Sequence, residues 1–431
     1  MPLELPTSRA EIEAIQSRRK VVAIEQARRA PFYRGKLDHV RLDRLDDPEE
    51  WQKVPILDKE ALRGLSDSAF YESFCLVPDD GIAEYWRSGG ATGKPLFYPR
   101  SFTDIRYGLL SFARTFACAG VARGERAHNS FPLGIHPAGQ IFARAATPAG
   151  IAMTWAGAGT TTPSQLQIDL IERLRPTVWL GMPSFGLHLA NLADANGTDL
   201  AACSVETLLC SAEPLSQAKR VKLERAWGAR VRDTFGMTEA GMMGAEDAAG
   251  SGAGFRVWTD MYVVEVVDPD SHAPVAAGEV GALVVTPLWT HHVTPFVRWL
   301  SGDLVTLVEG DDGASGPFSV FPLVRHAHRT SGFFKVRGIN IGHAEFEDFM
   351  FATDSVNDFK CELLSVGDLD SMRVSIELAR GSDADGAVGA LGPAIKRAFE
   401  VTAELVVLAP GTLAREFEAS VKAPRFADKR Q

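Results

Sequence analysis

VETLLCSAEPLSQAKRVKLERAWGARVRDTFGMTEAG, residues 205–241, reads as strand, turn, helix and strand in succession. The apolar run of VETLLCSAEP (205–214) ends in a turn, SQAKRVKLERAWG (216–228) is a helix, and VRDTFGMTEAG (231–241) is a second strand. Upstream, PTVWLGMP (176–183) is a buried strand of the same kind. Strand–helix–strand alternation implies a parallel sheet covered by helices, with ligands gathering at loops beyond the strands' carboxyl ends. Thr238 and Glu239 stand in such a place, in a Gly-flanked turn where a hydroxyl and a carboxylate can meet a phosphate and its metal.

A second stretch, RSGGATGKPLFYPRS (87–101), resembles a phosphate-binding loop. A Walker A loop reads G-x-x-x-x-G-K-[ST]. Here Ser88 stands where the first glycine belongs, and Lys94 is followed by Pro95, which has no hydroxyl to offer a metal. The P-loop reading therefore fails on two counts. What remains is a run of small residues whose backbone N–H groups and hydroxyls can wrap an anion. PLFYPR follows directly and is strand-like, so the loop is expected to join two strands.

The 431 residues are enough for at least two domains. Acidic residues exceed basic ones, 55 to 45, for a formal charge of −10, which argues against nucleic acid or an anionic membrane as the main partner. Cys75, Cys118, Cys203, Cys210 and Cys361 form no C-x-x-C pair and read as reduced, mostly buried thiols. MPLELPTSRAEIEAIQSRRK is too charged for a signal peptide, and no run of 18 apolar residues occurs. The expectation is a soluble cytoplasmic protein.

Ser8 with Glu11 forms a capping-box start for a helix that should stop before Pro31, and a second capped segment begins near Asp58. From about residue 255 the texture changes. YVVEVVD, GALVVTP, FVRWL and DLVTLVE, separated by turn residues, predict an antiparallel β region, with EGDDGASGP (309–317) as a hairpin tip or loop. After Arg329, CELLSV, RVSIELA, the helix GPAIKRAFE and ELVVLAP predict a compact α+β block of roughly a hundred residues. The expected class is therefore α/β. A large N-terminal domain (1–329) has parallel and mixed sheets, helices and a β-rich subdomain, and a small mobile α+β domain (330–431) follows.

Three more stretches carry candidate chemistry. RWLSGDL (298–304) puts Asp303 after Gly302, HRTSGFFKVRGINIGHAEFE (328–347) carries Arg329, Lys335 and Arg337, and VKAPRFADKRQ (421–431) carries Lys422. Singly each has a plain structural explanation: a surface carboxylate, a turn former, a solvated tail. His326, His328 and the pair His291–His292 lack neighbouring cysteines or acids and are assigned no metal.

Their order is distinctive. A Ser/Gly/Thr loop with Lys is followed by S-A-E-P, F-G-M-T-E, S-G-D-L, K-V-R-G and a late lysine. This series resembles the acyl-adenylate-forming enzymes, which include acyl-CoA ligases, luciferases and nonribosomal adenylation domains. Within them QARRAPFYRGKL (26–37), VPILDKEALRG (54–64), GMPSFGLHLA (181–190) and TPFVRWLSGDL (294–304) resemble the phenylacetate–CoA ligase branch. The resemblance runs from about residue 20 to the end.

The resemblance implies roles for particular residues. Ser88, Gly89, Gly90, Ala91, Thr92, Gly93 and Lys94 would cradle the β- and γ-phosphates of ATP. Thr238 would bond the α-phosphate and Glu239 would hold Mg²⁺. Ser211, Ala212, Glu213 and Pro214 would line the adenine site, with Phe235 stacked on the base and Gly236 and Met237 beside it. Asp303 would accept from the ribose hydroxyls and Arg329 would reach ribose or phosphate. Lys422 would enter for adenylation, whereas Lys335, Arg337 and Gly338 would line a thiol tunnel once the small domain has swung. The implied partners are a small carboxylic acid, ATP, and CoA or a carrier-protein phosphopantetheine, with a homodimer left open.

The chain departs from the family pattern in four places. Leu300 replaces an arginine, Ser331 and Gly332 replace two hinge aspartates, and the lysine motif is about two residues longer. GAEDAAGSGAG stands where the branch has cysteines, so zinc is not expected. NSFPLGIHPAG (129–139) occupies the place of the branch's aromatic-pocket residues, so Phe131, His136 and Met182 become acid-pocket candidates, while Phe131 and Met182 read equally well as core. The reading is ATP-dependent activation of an aryl or arylacetic acid to an acyl-adenylate, then transfer to a thiol. Alternatives are an amine acceptor, activation of another small oxyanion such as nitrite, or a non-catalytic nucleotide-binding homologue.

Overall fold

The computed structural model describes residues 4–77, 79–88, 95–250, 254–308, 315–329, 333–336, 339–366, 369–417 and 425–430, without the side chains of 327–329, 333, 366 and 369. Gly89–Lys94, Ser331, Gly332, Arg337, Gly338 and Lys422 lie outside the described residues, as does the side chain of Arg329. Two compact units emerge: residues 1–125, 133–153 and 232–330, and residues 126–132, 154–231 and 331–431.

The first unit begins with the helix Arg9–Arg29. Ser8 Oγ accepts from the Glu11 N–H as expected, but the Glu11 carboxylate returns to Thr7 N at 2.9 Å, so the box closes one residue early. The helix stops at Ala30 because a residue preceding proline is disfavoured in the α region. Its inner face joins a core with Tyr33, Trp51, Phe70, Phe74, Tyr98 and Phe296. Strands Ile82–Arg87 and Phe97–Ser101 pair antiparallel, so the glycine loop joins two strands. A complete capping box, Ser101 with Asp104, starts the helix Phe102–Cys118.

The expected antiparallel region forms in the same unit. Neighbouring strands are Tyr262–Val267, Val280–Pro287, Trp299–Val308, Leu323–Arg329, Phe255–Val257, Gly241–Ala245 and Arg230–Met237, in that order. FVRWL and DLVTLVE are not separate strands, because Trp299–Val308 runs through both. The junction is irregular. Ala282 pairs with Leu304 and Val284 with Leu300, so Ser301, Gly302 and Asp303 together oppose the single residue Leu283. Gly302 takes φ +83°, which a side chain resists, and the bulge it permits takes Asp303 out of register with Val280–Pro287 while leaving it paired with Leu323–Arg329.

In the second unit Arg126–Asn129, Val178–Gly181 and Thr207–Cys210 run parallel, as the alternation predicts. The helices Ser164–Leu174, Pro183–Ala195 and Gln217–Trp227 belong to this unit. Residues 331–431 add the hairpin Phe333–Val336 with Ile339–Gly342. They also add a four-stranded sheet ordered Ala403–Leu408, Leu369–Leu378, Val356–Val366, Phe426–Asp428. The helix expected to begin at Gly392 begins at Ala384, where Asp383 caps it, and it tolerates Pro393 inside. Lys222 Nζ donates to the Val356 carbonyl at 3.0 Å and Lys219 pairs with Glu347 at 2.7 Å, which fastens the helix Gln217–Trp227 to this block. Among the described residues no helix is long and apolar enough to cross a membrane.

Candidate active site

In the first unit the chain leaves the strand Arg230–Met237 and turns through Thr238, Glu239 and Ala240. Close packing forces this exit. A Cβ on Gly236 would lie 2.6 Å from the Gly241 carbonyl oxygen and 3.0 Å from Met242 Cα, both backbone atoms that cannot step aside. Glycine lets the two strands approach, and the turn follows at once.

Buried side chains hold the turn from beneath. Arg100 Nη2 donates to the carbonyls of Thr238 at 2.7 Å and Glu239 at 2.8 Å, while Nη1 reaches Thr290 O and Thr294 Oγ1. The Tyr262 hydroxyl is shared between the carbonyls of Ala240 and Met242. All three carbonyls of the turn thus have buried partners. Burial, only partly offset by Asp104 and Glu239, holds the Arg100 pKa below the ordinary arginine value.

One side chain sets Glu239. The Tyr98 hydroxyl, wholly buried, donates to Glu239 Oε1 at 3.0 Å. Burial first, then the Glu239 charge, pushes the Tyr98 pKa up, so this group remains a donor. Glu239 Oε2 and the Thr238 hydroxyl have no partner among the described residues. One oriented carboxylate suits Mg²⁺, which is commonly held by one or two carboxylates plus substrate phosphates. Among the described residues no group of three or more acids, histidines or cysteines could hold a metal by itself.

Asp303 is nearly buried on its bulge. Its N–H donates to Ser301 Oγ at 3.0 Å, and His326 Nε2 lies 3.2 Å from Oδ1. The His326 ring is also 6.1 Å from the ring of Phe235, so one imidazole neighbours both Asp303 and the strand that leads to Thr238. Phe235 stacks on Phe255 at 5.4 Å within the core. Backbone pairing puts Arg329 opposite Asp303. Ser88 and Leu96 clasp each other through two hydrogen bonds of 2.9 Å, which closes the neck of the 89–94 segment. Arg87 donates to His136 Nε2 at 3.0 Å, leaving Nδ1 to carry the imidazole proton.

The second unit holds the other candidates. Ala212 takes φ +70°, and Glu213 accepts from Ser184 N and Oγ, which pins the Ser211–Pro214 turn to the start of the helix Pro183–Ala195. Phe131 and Met182 are buried, and Lys335 is exposed. Tyr98 and Arg100 were missed in the sequence, although both lie in the strand-like PLFYPR already noted. His326 was weighed only as a metal ligand.

Known proteins resemble this chain in sequence and in fold. The phenylacetate–coenzyme A ligase of Thermus thermophilus is 28% identical over 377 residues, covering 86% of this chain and 82% of that one. The Escherichia coli phenylacetate–coenzyme A ligase is 27% identical over 378 residues, covering 86% and 84%. The crystal structure of 2-hydroxyisobutyryl-CoA ligase, in the postadenylation state with R3-HIB-AMP, superposes with TM-score 0.84 at 22% identity over 98% of this chain and 90% of that one, a likeness of fold. A family profile described as AMP-binding enzyme matches residues 57–289, a span that contains the glycine loop and the Thr238–Glu239 turn. On that match the chain belongs to the AMP-binding enzyme family.

Proposed function

We propose that this chain is an AMP-forming acid–thiol ligase that activates an aryl or arylacetic acid and passes the acyl group to CoA. The carrying observation is the turn braced by Arg100, which holds Glu239 against Tyr98 in the same unit as the Asp303 bulge. Ligase chemistry of the AMP-forming acyl-CoA type is what the relatives support, and the aryl acid is the finer step.

In the first half-reaction an acid oxygen bonds to the α-phosphorus of ATP and the bond to the β-phosphate oxygen breaks, releasing pyrophosphate. Charge spreads over phosphate oxygens, so positioned donors and cations matter more than a proton shuttle. Thr238 would donate to an α-phosphate oxygen, and Ser88–Lys94 would cradle the departing phosphates. Bound Mg²⁺ would neutralise phosphate charge, with Glu239 Oε2 as its protein ligand. Asp303, steadied by His326, would accept from the ribose hydroxyls, joined by Arg329. The pinned Ser211–Pro214 turn would flank adenine. Residues 330–431 would act as a moving domain that brings Lys422 to the acid and α-phosphate.

In the second half-reaction the thiol sulfur bonds to the acyl carbon, the carbon–oxygen bond to AMP breaks, and the thiol proton passes to solvent. Lys335, Arg337 and Gly338 would line the thiol's approach. Phe131 and Met182 would supply a flat apolar wall, and the His136 Nδ1–H could meet a polar substituent.

The test is pyrophosphate release over benzoates, cinnamates, arylacetates and nitrite, with and without CoA, and mass spectrometry of the products. Release with an aryl acid and the matching acyl-CoA is expected. Release with nitrite, or turnover only with an amine, would overturn the acid–thiol reading. ATP binding without turnover would indicate a non-catalytic homologue.

A further inference from the structure

The hairpin that carries Lys335 is held by packing, with Phe334, Val336 and Ile341 buried. Phe333–Val336 pairs with Ile339–Gly342 in a sheet of two strands, and such a pair is marginal in water unless something packs on it. Two supports come from the late segment 425–430. Phe334 meets His343 edge-on at 4.4 Å and Phe426 at 5.8 Å, while His343 lies flat on Phe426 at 4.3 Å. Phe426 is anchored in turn, since Phe426–Asp428 pairs parallel with Val356–Val366.

The second support is Arg430. Its Nε and Nη2 donate to the two oxygens of Asp428 at 2.9 and 2.6 Å, a forked pair that fixes the guanidinium plane. The remaining nitrogen, Nη1, donates to the backbone carbonyl of Lys335 at 2.7 Å and to Asp370 at 2.9 Å. A single planar group thus joins the four-stranded sheet, through Asp428 and Asp370, to the strand that leads into Arg337 and Gly338. The ion pairs are partly exposed and contribute little stability. Their value lies in direction, because a fork held by Asp428 aims Nη1 at one carbonyl.

We infer that Arg430 is a positioning residue for thiol transfer, fixing the Phe333–Val336 strand through the Lys335 carbonyl. This rests on the reading of Lys335–Gly338 as the thiol's approach. Arg430 has no part in adenylation on this account, so the two half-reactions separate.

The experiment uses the full chain with phenylacetate and ATP for adenylation, trapped with hydroxylamine, and with preformed phenylacetyl-AMP and CoA for transfer. Arg430→Ala should slow transfer about tenfold or more, as small misplacements of reacting groups do, while adenylation stays within about twofold. Arg430→Lys, which can reach the carbonyl but cannot fork, should recover part of the loss. Hydrogen exchange should speed up at 333–342 and not in Val356–Leu378. Asp428→Asn provides the same test should Arg430→Ala fold poorly. Wild-type transfer, an equal loss in both half-reactions, or unchanged exchange at 333–342 would each overturn the inference. Gly338→Trp serves as the control. If it blocks transfer and Arg430→Ala does not, the inference alone falls. If neither impairs transfer, the thiol-approach reading falls too. If the wild-type protein does not transfer from phenylacetyl-AMP, that reading falls and the exchange data decide the brace.

Discussion

Tyr98→Phe removes one O–H and little else. The ring keeps its edge contact with Phe296 at 5.4 Å and its tilted contact with Phe70 at 6.0 Å, so packing around it is preserved. What goes is the donor to Glu239 Oε1, between two buried side chains. A hydrogen bond to a charged group contributes about 1.5–3 kcal/mol. Partners that orient a metal ligand typically change metal affinity or activity by about 10- to 100-fold. Pyrophosphate release should therefore need about tenfold more Mg²⁺ for half-saturation in the variant, with the far-ultraviolet circular dichroism unchanged. Burial and the Glu239 charge raise the folded-state pKa of Tyr98 above its unfolded value. Its stabilising contribution is thus complete below about pH 10 and declines as pH rises beyond that. Tyr98→Phe should lose this alkaline component of the thermal-unfolding profile. An unaltered Mg²⁺ requirement alongside a lower Tm would refute the link between Tyr98 and metal binding and leave the hydrogen bond purely structural.

Three further outcomes follow from the same geometry. Asp303→Ala should raise the KM for ATP about 10- to 100-fold, the equivalent of losing charge-assisted hydrogen bonds, with His326→Ala showing a smaller rise in the same steady-state assay. Gly236→Ala should cost about 1–3 kcal/mol in denaturant unfolding, because its methyl would strike backbone on the neighbouring strand. His291 is buried with neither ring nitrogen partnered among the described residues, and burial lowers its pKa to about 3. The folded imidazole stays neutral, so stability is present above pH 6.5 and is lost as pH falls toward 3, on the order of 5 kcal/mol in all. His291→Leu should flatten that acid decline in a series of thermal melts and leave Tm at pH 7.5 equal or higher, and an unchanged slope would contradict the assignment.

Local signals carried much of the fold into the sequence. The 205–241 stretch forms strand, helix and strand because its apolar runs and helical spacing are uninterrupted, and Ser8 and Asp58 cap helices where their side chains can reach the next turn. The supports of the site were not legible, because they are made across long sequence distances. Arg100 braces carbonyls 138 and 139 positions away, and Tyr98 meets a carboxylate 141 positions on. In the sequence both are merely strand residues. Asp303 could be picked out by its motif, but its place on a bulge depends on register against Val280–Pro287, which alternation alone does not reveal. His326 was noticed for its H-x-H spacing, whereas its partner is that aspartate rather than a metal set.

The central claim is an acyl–AMP bond made with an oxygen of the acid, and isotope transfer tests it most directly. Phenylacetate labelled with ¹⁸O in its carboxylate, turned over with ATP and CoA, should leave one labelled oxygen in AMP and one in the thioester. Unlabelled AMP, or ADP as the nucleotide product, would contradict it.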